Sequence, residues 1–159
     1  MPLSLVRVDD RLIHGQVVAV WLRALGADRI VIVDDATASD EFLREILCLA
    51  APADVQVEIF SVIDALGPVT AYATHPDRTF VLMKSPVTAL ALRRGGVPFE
   101  VLNVGGIGAR PGRGPLFRNI SASDEEIKAM RALEELGTRV EFRIVADDRA
   151  VPFTSLDRA

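Results

Sequence analysis

The chain of 159 residues has one cysteine, two histidines, one tryptophan and one tyrosine. A single thiol excludes an internal disulfide. Cys48 lies in Glu45-Ile46-Leu47-Cys48-Leu49-Ala50, an apolar helical stretch, and is expected to be a small buried hydrophobe. Lysine is almost missing. Lys84 and Lys128 are the two, and arginine carries the rest of the basic charge, which reads as genome composition. The net charge of −4 is too mild and too mixed for nucleic acid or an anionic membrane to be the main partner. The start, Met1 to Asp10, lacks a basic leader followed by an apolar stretch, so no signal peptide is expected. The early apolar run Val17 to Leu22 falls far short of the ~20 residues of a membrane span. A soluble, intracellular protein is expected. Repeats, low-complexity tracts and linkers are missing too.

Half of the residues are apolar and a quarter are charged, an ordinary globular balance. A chain of this length buries roughly 70% of its unfolded surface, enough for one domain spanning 1–159. Short runs rich in Val, Ile and Leu read as strands at Leu3–Val8, Arg29–Val33, Val55–Phe60, Thr79–Met83, Glu100–Val104 and Arg139–Val145. Between them, Gly15–Leu25, Asp40–Ala50, Val62–Ala73, Pro86–Arg94 and Ser123–Leu136 read as helices. Ser123 and Glu126 have the spacing of a capping box, Gly137 closes the same helix, and Pro86 suits a first turn. Trp21, Leu22 and Leu25 share a helical face with Val18, and Trp21 reads as core. The alternation predicts an α/β fold: an open, mostly parallel sheet of about six or seven strands with helices on both faces.

Ligands of such sheets sit beyond the C-terminal strand ends, where strand order reverses. The residues found there are Asp9-Asp10-Arg11-Leu12-Ile13-His14-Gly15-Gln16, Asp34-Asp35, Lys84-Ser85-Pro86 and Gly105-Gly106. If the order begins 3-2-1-4, the His14 and Lys84 loops face each other across one crevice. The stretch Gly105 to Ser121 reads as one long irregular loop. Gly106-Ile107-Gly108 does not continue to G-x-G-x-x-G, and no Lys-Ser/Thr completes a P-loop, which disfavours dinucleotides and nucleoside triphosphates. Arg110, Arg113 and Arg118 make that loop cationic, most simply as a solvated loop. His75 reads as a turn residue.

His14 is the sharpest candidate. Neutral imidazole is a good nucleophile, Arg11 in the same loop can hold two phosphate oxygens, and the helix start at Gly15 offers free N–H groups to an anion. This equipment suits phosphoryl transfer through a phosphohistidine. A histidine that merely packs or caps the helix start fits the same position. Asp9 and Asp10 can cap the helix, orient the imidazole or, with Asp34 and Asp35, bind Mg²⁺. Lys84 and Ser85 can meet a phosphate or simply form a turn.

The run Val6-Arg7-Val8-Asp9-Asp10-Arg11-Leu12-Ile13-His14-Gly15-Gln16-Val17 closely resembles the active-site signature of the IIB components of the mannose/fructose/sorbose class of the bacterial sugar phosphotransferase system. Val31-Ile32-Val33-Asp34-Asp35, Leu49-Ala50-Ala51-Pro52, Lys84-Ser85-Pro86, Leu102-Asn103-Val104-Gly105-Gly106 and Glu134-Glu135-Leu136-Gly137 follow in the family's order. The resemblance implies that a IIA protein passes a phosphoryl group to Nδ1 of His14. From there it goes to a sugar held by the membrane IIC and IID components. Arg11 maps onto the phosphate-contacting arginine. Gly15, Lys84 and Ser85 are further phosphate-binding candidates, and Asp9, Asp10 and Gln16 supporting ones. No small cofactor or metal is implied. The protein would be cytoplasmic and peripheral to a permease, with homo-oligomerisation left open.

Leu12 and Ile13, apolar beside His14, are expected to dock on the partner, so that aspartate there would slow transfer and spare the melting curve. Three other functions compete: a regulatory phosphocarrier without sugar transport, a receiver-like domain phosphorylated on Asp with Mg²⁺, and a phosphosugar-binding domain using His14 as a base. The receiver reading lacks an acceptor Asp at the end of strand three, where Phe60-Ser61 stands.

Overall fold

The computed structural model describes residues 3–156, apart from the side chains of Gln16 and Val17. Alternating apolar runs and amphipathic segments produce β1 (Leu3–Asp9), α1 (Gly15–Leu25), β2 (Arg29–Val33), α2 (Asp35–Ala38), α3 (Glu41–Ala50), β3 (Gln56–Phe60), α4 (Val62–Tyr72), β4 (Thr79–Met83), α5 (Pro86–Arg94), β5 (Val101–Gly106), β6 (Gly114–Phe117), β7 (Ile120–Ala122), α6 (Asp124–Glu135), β8 (Arg139–Phe142) and β9 (Val151–Pro152). A 3-10 turn follows at Phe153–Ser155.

Seven strands form one sheet in the order β3-β2-β4-β1-β5-β8-β9. All neighbours are parallel except β8 and β9. The expected α/β sheet with helices on both faces is present. Its order differs from 3-2-1-4, because β4 inserts between β2 and β1. Both β2 and β4 are buried along their whole length, so nothing in their composition tells which of them lies beside β1.

The period of two in each strand divides the core. Ile30, Ile32, Phe80 and Leu82 face one side, where Val18, Trp21 and Leu22 of α1 and Leu47 of α3 cover them. Val6, Val8, Val31, Val33, Val81, Met83, Leu102 and Val104 face the other, under α4, α5 and α6. The link from β1 to β2 therefore crosses one face, and the link from β4 to β5 crosses the other. The chain thus leaves the neighbours β1 and β4 toward opposite faces, the switch in connectivity at whose C-terminal strand ends open α/β sheets bind ligands.

Three local expectations change. Cys48 is exposed, not buried. Only Leu47 of α3 is buried, while Phe42, Ile46 and Leu49 on the far side of that helix lie open. The Gly105–Ser121 stretch is not wholly irregular, since β6 and β7 pair as an antiparallel hairpin. The last predicted strand stops at Phe142, and its continuation gives way to a return strand, β9.

The capping box of α6 is made in full, with Ser123 and Glu126 each accepting from the other's backbone N–H. Gly137 follows at φ +92, a backbone geometry suited to glycine. Glu126 also accepts from Arg113 through both carboxylate oxygens and from the Ser85 hydroxyl. Burial pushes its carboxyl up, and the bonds from Arg113, Ser123 and Ser85 outweigh that and hold it below the usual range. Stability from this group is present above the unfolded value and is lost as pH falls through the depressed folded value. In Glu126→Gln, urea midpoints should therefore fall less steeply than the parent's on acidification from about pH 5 to about pH 3. Parallel curves would show that the carboxylate adds no such stability.

Candidate active site

β1 delivers its last residue, Asp9, to the sheet edge with no exposure at all. Its neighbours on the same face are Arg7 below and the loop above. Asp9 Oδ1 accepts from the Arg11 backbone N–H at 3.2 Å and from Arg11 Nε at 3.1 Å. Asp9 Oδ2 accepts from Arg11 Nη2 and from Arg7 Nη2, each at 3.3 Å. One carboxylate thus folds the Arg11 side chain back over the strand end. The Arg11 side chain remains about half exposed, so its remaining N–H groups are open to an anion.

The loop then turns tightly. The Leu12 N–H donates to the Asp9 carbonyl at 2.9 Å. Leu12 has φ +57 and Gly15 has φ +43. The first is a strained setting for a branched side chain, and the second suits glycine. A side chain at Leu12 is held there by burial. Leu12 and Ile13 are buried in the core beneath α1, among Val18, Trp21 and Ile30. This corrects the expected docking role: the left-handed turn at Leu12 directs both side chains inward, where they anchor the loop. Aspartate at either position would bury an unpaired charge. Leu12→Asp is expected to cost at least about 2 kcal/mol of stability, measured by urea denaturation, and an unchanged unfolding curve would refute the assignment to the core.

His14 occupies the N-cap of α1 in an extended backbone conformation, but its side chain does not cap the helix. Nδ1 lies 2.9 Å from the Leu12 carbonyl. A carbonyl only accepts, so in this arrangement Nδ1 carries the proton. Nε2 is buried without a hydrogen-bond partner, 4.0 Å from Asp9 Oδ2. Neither ring nitrogen offers a free lone pair to solvent in this state.

The other candidates take separate partners. Asp10 accepts from the Gly108 N–H at 2.7 Å and faces Arg113 at 3.6 Å, which latches the glycine loop to the His14 loop. Arg113 continues to Glu126 and from there to Ser85. It is an interior link of this chain and not the solvated cation expected, whereas Arg110 and Arg118 are exposed. Ser85 also caps α5. Lys84 turns to Asp34 at 3.5 Å, and Asp34 caps α2 while Asp35 accepts from the Val62 N–H. Among the described residues, no group of three or more His, Cys, Asp or Glu side chains is placed to hold a metal ion. Gln16 belongs to the side chains that are not described. His75 accepts from the Asp77 N–H in its turn, and Trp21 is core. A cleft of about 260 Å³ beside Arg11 is lined by Asp10, Gly105, Gly106, Ile107, Gly108 and Asn119, among others.

Residues 3–157 match the family model for the sorbose subfamily IIB component of the phosphotransferase system. The chain belongs to this IIB family. It is 37% identical over 151 residues, 95% of this chain and 92% of the other, to the sorbose-specific EIIB component of Klebsiella pneumoniae. It is 31% identical to the fructose-specific EIIB component of Bacillus subtilis, over 99% of this chain and 97% of the other. The crystal structure of the IIBSor domain of the sorbose permease from K. pneumoniae superposes with a TM-score of 0.91 at 36% identity, covering 98% of this chain and 95% of that one. The IIB chain has no described helix long and apolar enough to cross a membrane. As a sugar phosphotransferase system component, it presents His14 and Arg11 at the strand edge where its fold places ligands.

Sequence reasoning missed Arg7 and Asn103 as parts of this site. Arg7 stood inside the quoted motif, and a charged residue within an otherwise apolar strand was the available signal. Asn103 carried the same signal in β5.

Proposed function

We propose that this IIB protein is a single-domain phosphocarrier. It takes a phosphoryl group from a phosphohistidine of a IIA protein onto His14. It then gives the group to a sugar held by a IIC/IID permease, at whose cytoplasmic side it works. The observation that supports this most is the joint placement of His14 and a half-exposed Arg11 over one buried carboxylate. The relatives named for sorbose- and fructose-specific components support the same sugar-uptake chemistry.

The transfer is a displacement at phosphorus. As the ring leaves the Leu12 carbonyl, Nε2 takes up a proton from solvent and Nδ1 then releases its own, so the ring passes to its other neutral tautomer. The Nδ1 lone pair forms the new N–P bond while the donor's N–P bond breaks, and the donor ring keeps that electron pair. The proton on Nε2 is donated to Asp9 Oδ2 once the 4.0 Å gap closes. Arg11 faces the phosphoryl oxygens. A charge-assisted hydrogen bond contributes about 1.5–3 kcal/mol. One arginine with the N–H groups at the start of α1 therefore gives moderate stabilisation, which suits a group that has to leave again.

His14→Ala should abolish uptake of ³²P from a phosphorylated IIA protein while the chain stays folded, and the parent's label should be labile to acid and stable to alkali. Label of the opposite lability, or label retained in the variant, would overturn the reading. Arg11→Lys should slow uptake about tenfold or more, since an ammonium cannot reproduce a two-point fork. Transfer at the parent rate would remove Arg11 from the phosphate site.

A further inference from the structure

Beneath Asp9 lies a guanidinium with almost no access to solvent. Arg7 is 1% exposed. Nη1 donates to Asn103 Oδ1 and, at 2.8 Å, to the Arg143 carbonyl. Nη2 donates to the Ile144 carbonyl at 2.8 Å and to Asp9 at 3.3 Å. The guanidinium carbon stands 4.9 Å from the centre of the Trp21 ring. A side-chain carbon on Gly105 would fall about 2 Å from the guanidinium atoms, so glycine at 105 leaves the space that Arg7 fills. Burial pulls the Arg7 pKa down from its ordinary value, and Asp9 opposes this.

Desolvating a guanidinium is costly unless its charge is used. Packing alone would be served by an apolar side chain of similar volume. Three of the four acceptors of Arg7 are neutral, so Asp9 is the one anion it meets. Asp9 in turn lies between two cations, Arg7 and Arg11, with His14 Nε2 at 4.0 Å. The other charges nearby, Asp10 and Arg113, pair with each other across the glycine loop. Among the described side chains, β5 brings Asn103 to Arg7 and α1 brings Trp21, and Gly105 and Gly106 of β5 leave room beside Arg7 and Asp9.

We propose that Arg7 is a positioning residue for His14: its buried charge holds the Asp9 carboxylate in place and offsets part of its negative charge, so that Nε2–H finds a fixed acceptor when Nδ1 carries the phosphoryl group. The assignment rests on the phosphocarrier reading for its purpose. Its physical content is narrower: with Arg7 beside it, Asp9 attracts positive charge onto the His14 ring less strongly than it would alone.

Three variants separate charge from packing. Arg7→Lys keeps the charge. Arg7→Gln keeps a donor and loses the charge. Asn103→Asp neutralises Arg7 from its other side and preserves every contact Arg7 makes, losing only an Nδ2 that has no partner. The His14 ring is titrated by NMR in each, and ³²P uptake from a phosphorylated IIA protein is followed against pH. In Arg7→Gln and Asn103→Asp the ring should titrate about one pH unit higher than in the parent, and the acidic limb of uptake should move with it. In Arg7→Lys both should stay at the parent position. Should Arg7→Gln fail to fold, Asn103→Asp and Arg7→Lys decide. An unshifted titration in Asn103→Asp, or a shift in Arg7→Lys as large as in the neutral variant, overturns the proposal even if stability falls. A parent that takes no label defeats the phosphocarrier reading instead, and the NMR titration still judges Arg7.

Discussion

A carboxylate without access to water survives only where cations and N–H groups replace its hydration shell. Asp9 is such a group, and the site is organised around it. Its two oxygens collect Arg7, the Arg11 side chain and the Arg11 backbone N–H. This draws the chain leaving β1 into a tight turn, which sends Leu12 and Ile13 into the core and leaves His14 at the first position of α1. Had Asp9 been solvated, Arg11 would be free to swing away from His14.

The same carboxylate accounts for the closed form of the histidine. With the proton on Nδ1, Nε2 has none to donate to Asp9, and it stands 4.0 Å from Oδ2 without a hydrogen-bond partner. The ring instead donates from Nδ1 to its own loop. In the proposed transfer, a phosphoryl group on Nδ1 reverses these preferences. Nε2 becomes the donor and Asp9 becomes its acceptor, so one fixed anion serves both states through a small ring movement. The chain Asp10–Arg113–Glu126–Ser85 ties the glycine loop, α5 and α6 to this loop, which makes the wall of the crevice part of one hydrogen-bonded frame.

Much of the fold was legible from local signals. Arg29–Val33 and Thr79–Met83 are continuous apolar runs, and they are strands over those bounds. Gly15–Leu25 and Pro86–Arg94 are bounded by breakers and form helices over those bounds. The β6–β7 hairpin escaped notice because Gly114-Pro115 and the turn at Arg118-Asn119 read as loop chemistry. Two strands of four and three residues also carry too little periodicity to stand out. Cys48 was misjudged for a related reason. Composition marks α3 as apolar, yet the helix covers a sheet edge and buries one face only, so its far side stays open.

What the sequence by itself determined is local. It specified where helices start and stop, which runs alternate as strands, and that a histidine, an arginine and two aspartates share one loop at a strand end. These follow from backbone conformation and nearest-neighbour chemistry, which a few adjacent residues decide. Only the tertiary structure decided that β4 lies between β2 and β1, that Arg7 and Asn103 meet under Asp9, and that Leu12 and Ile13 turn inward. Each of these depends on residues tens of positions apart competing for the same buried space and the same unpaired charge, and no local pattern records the winner.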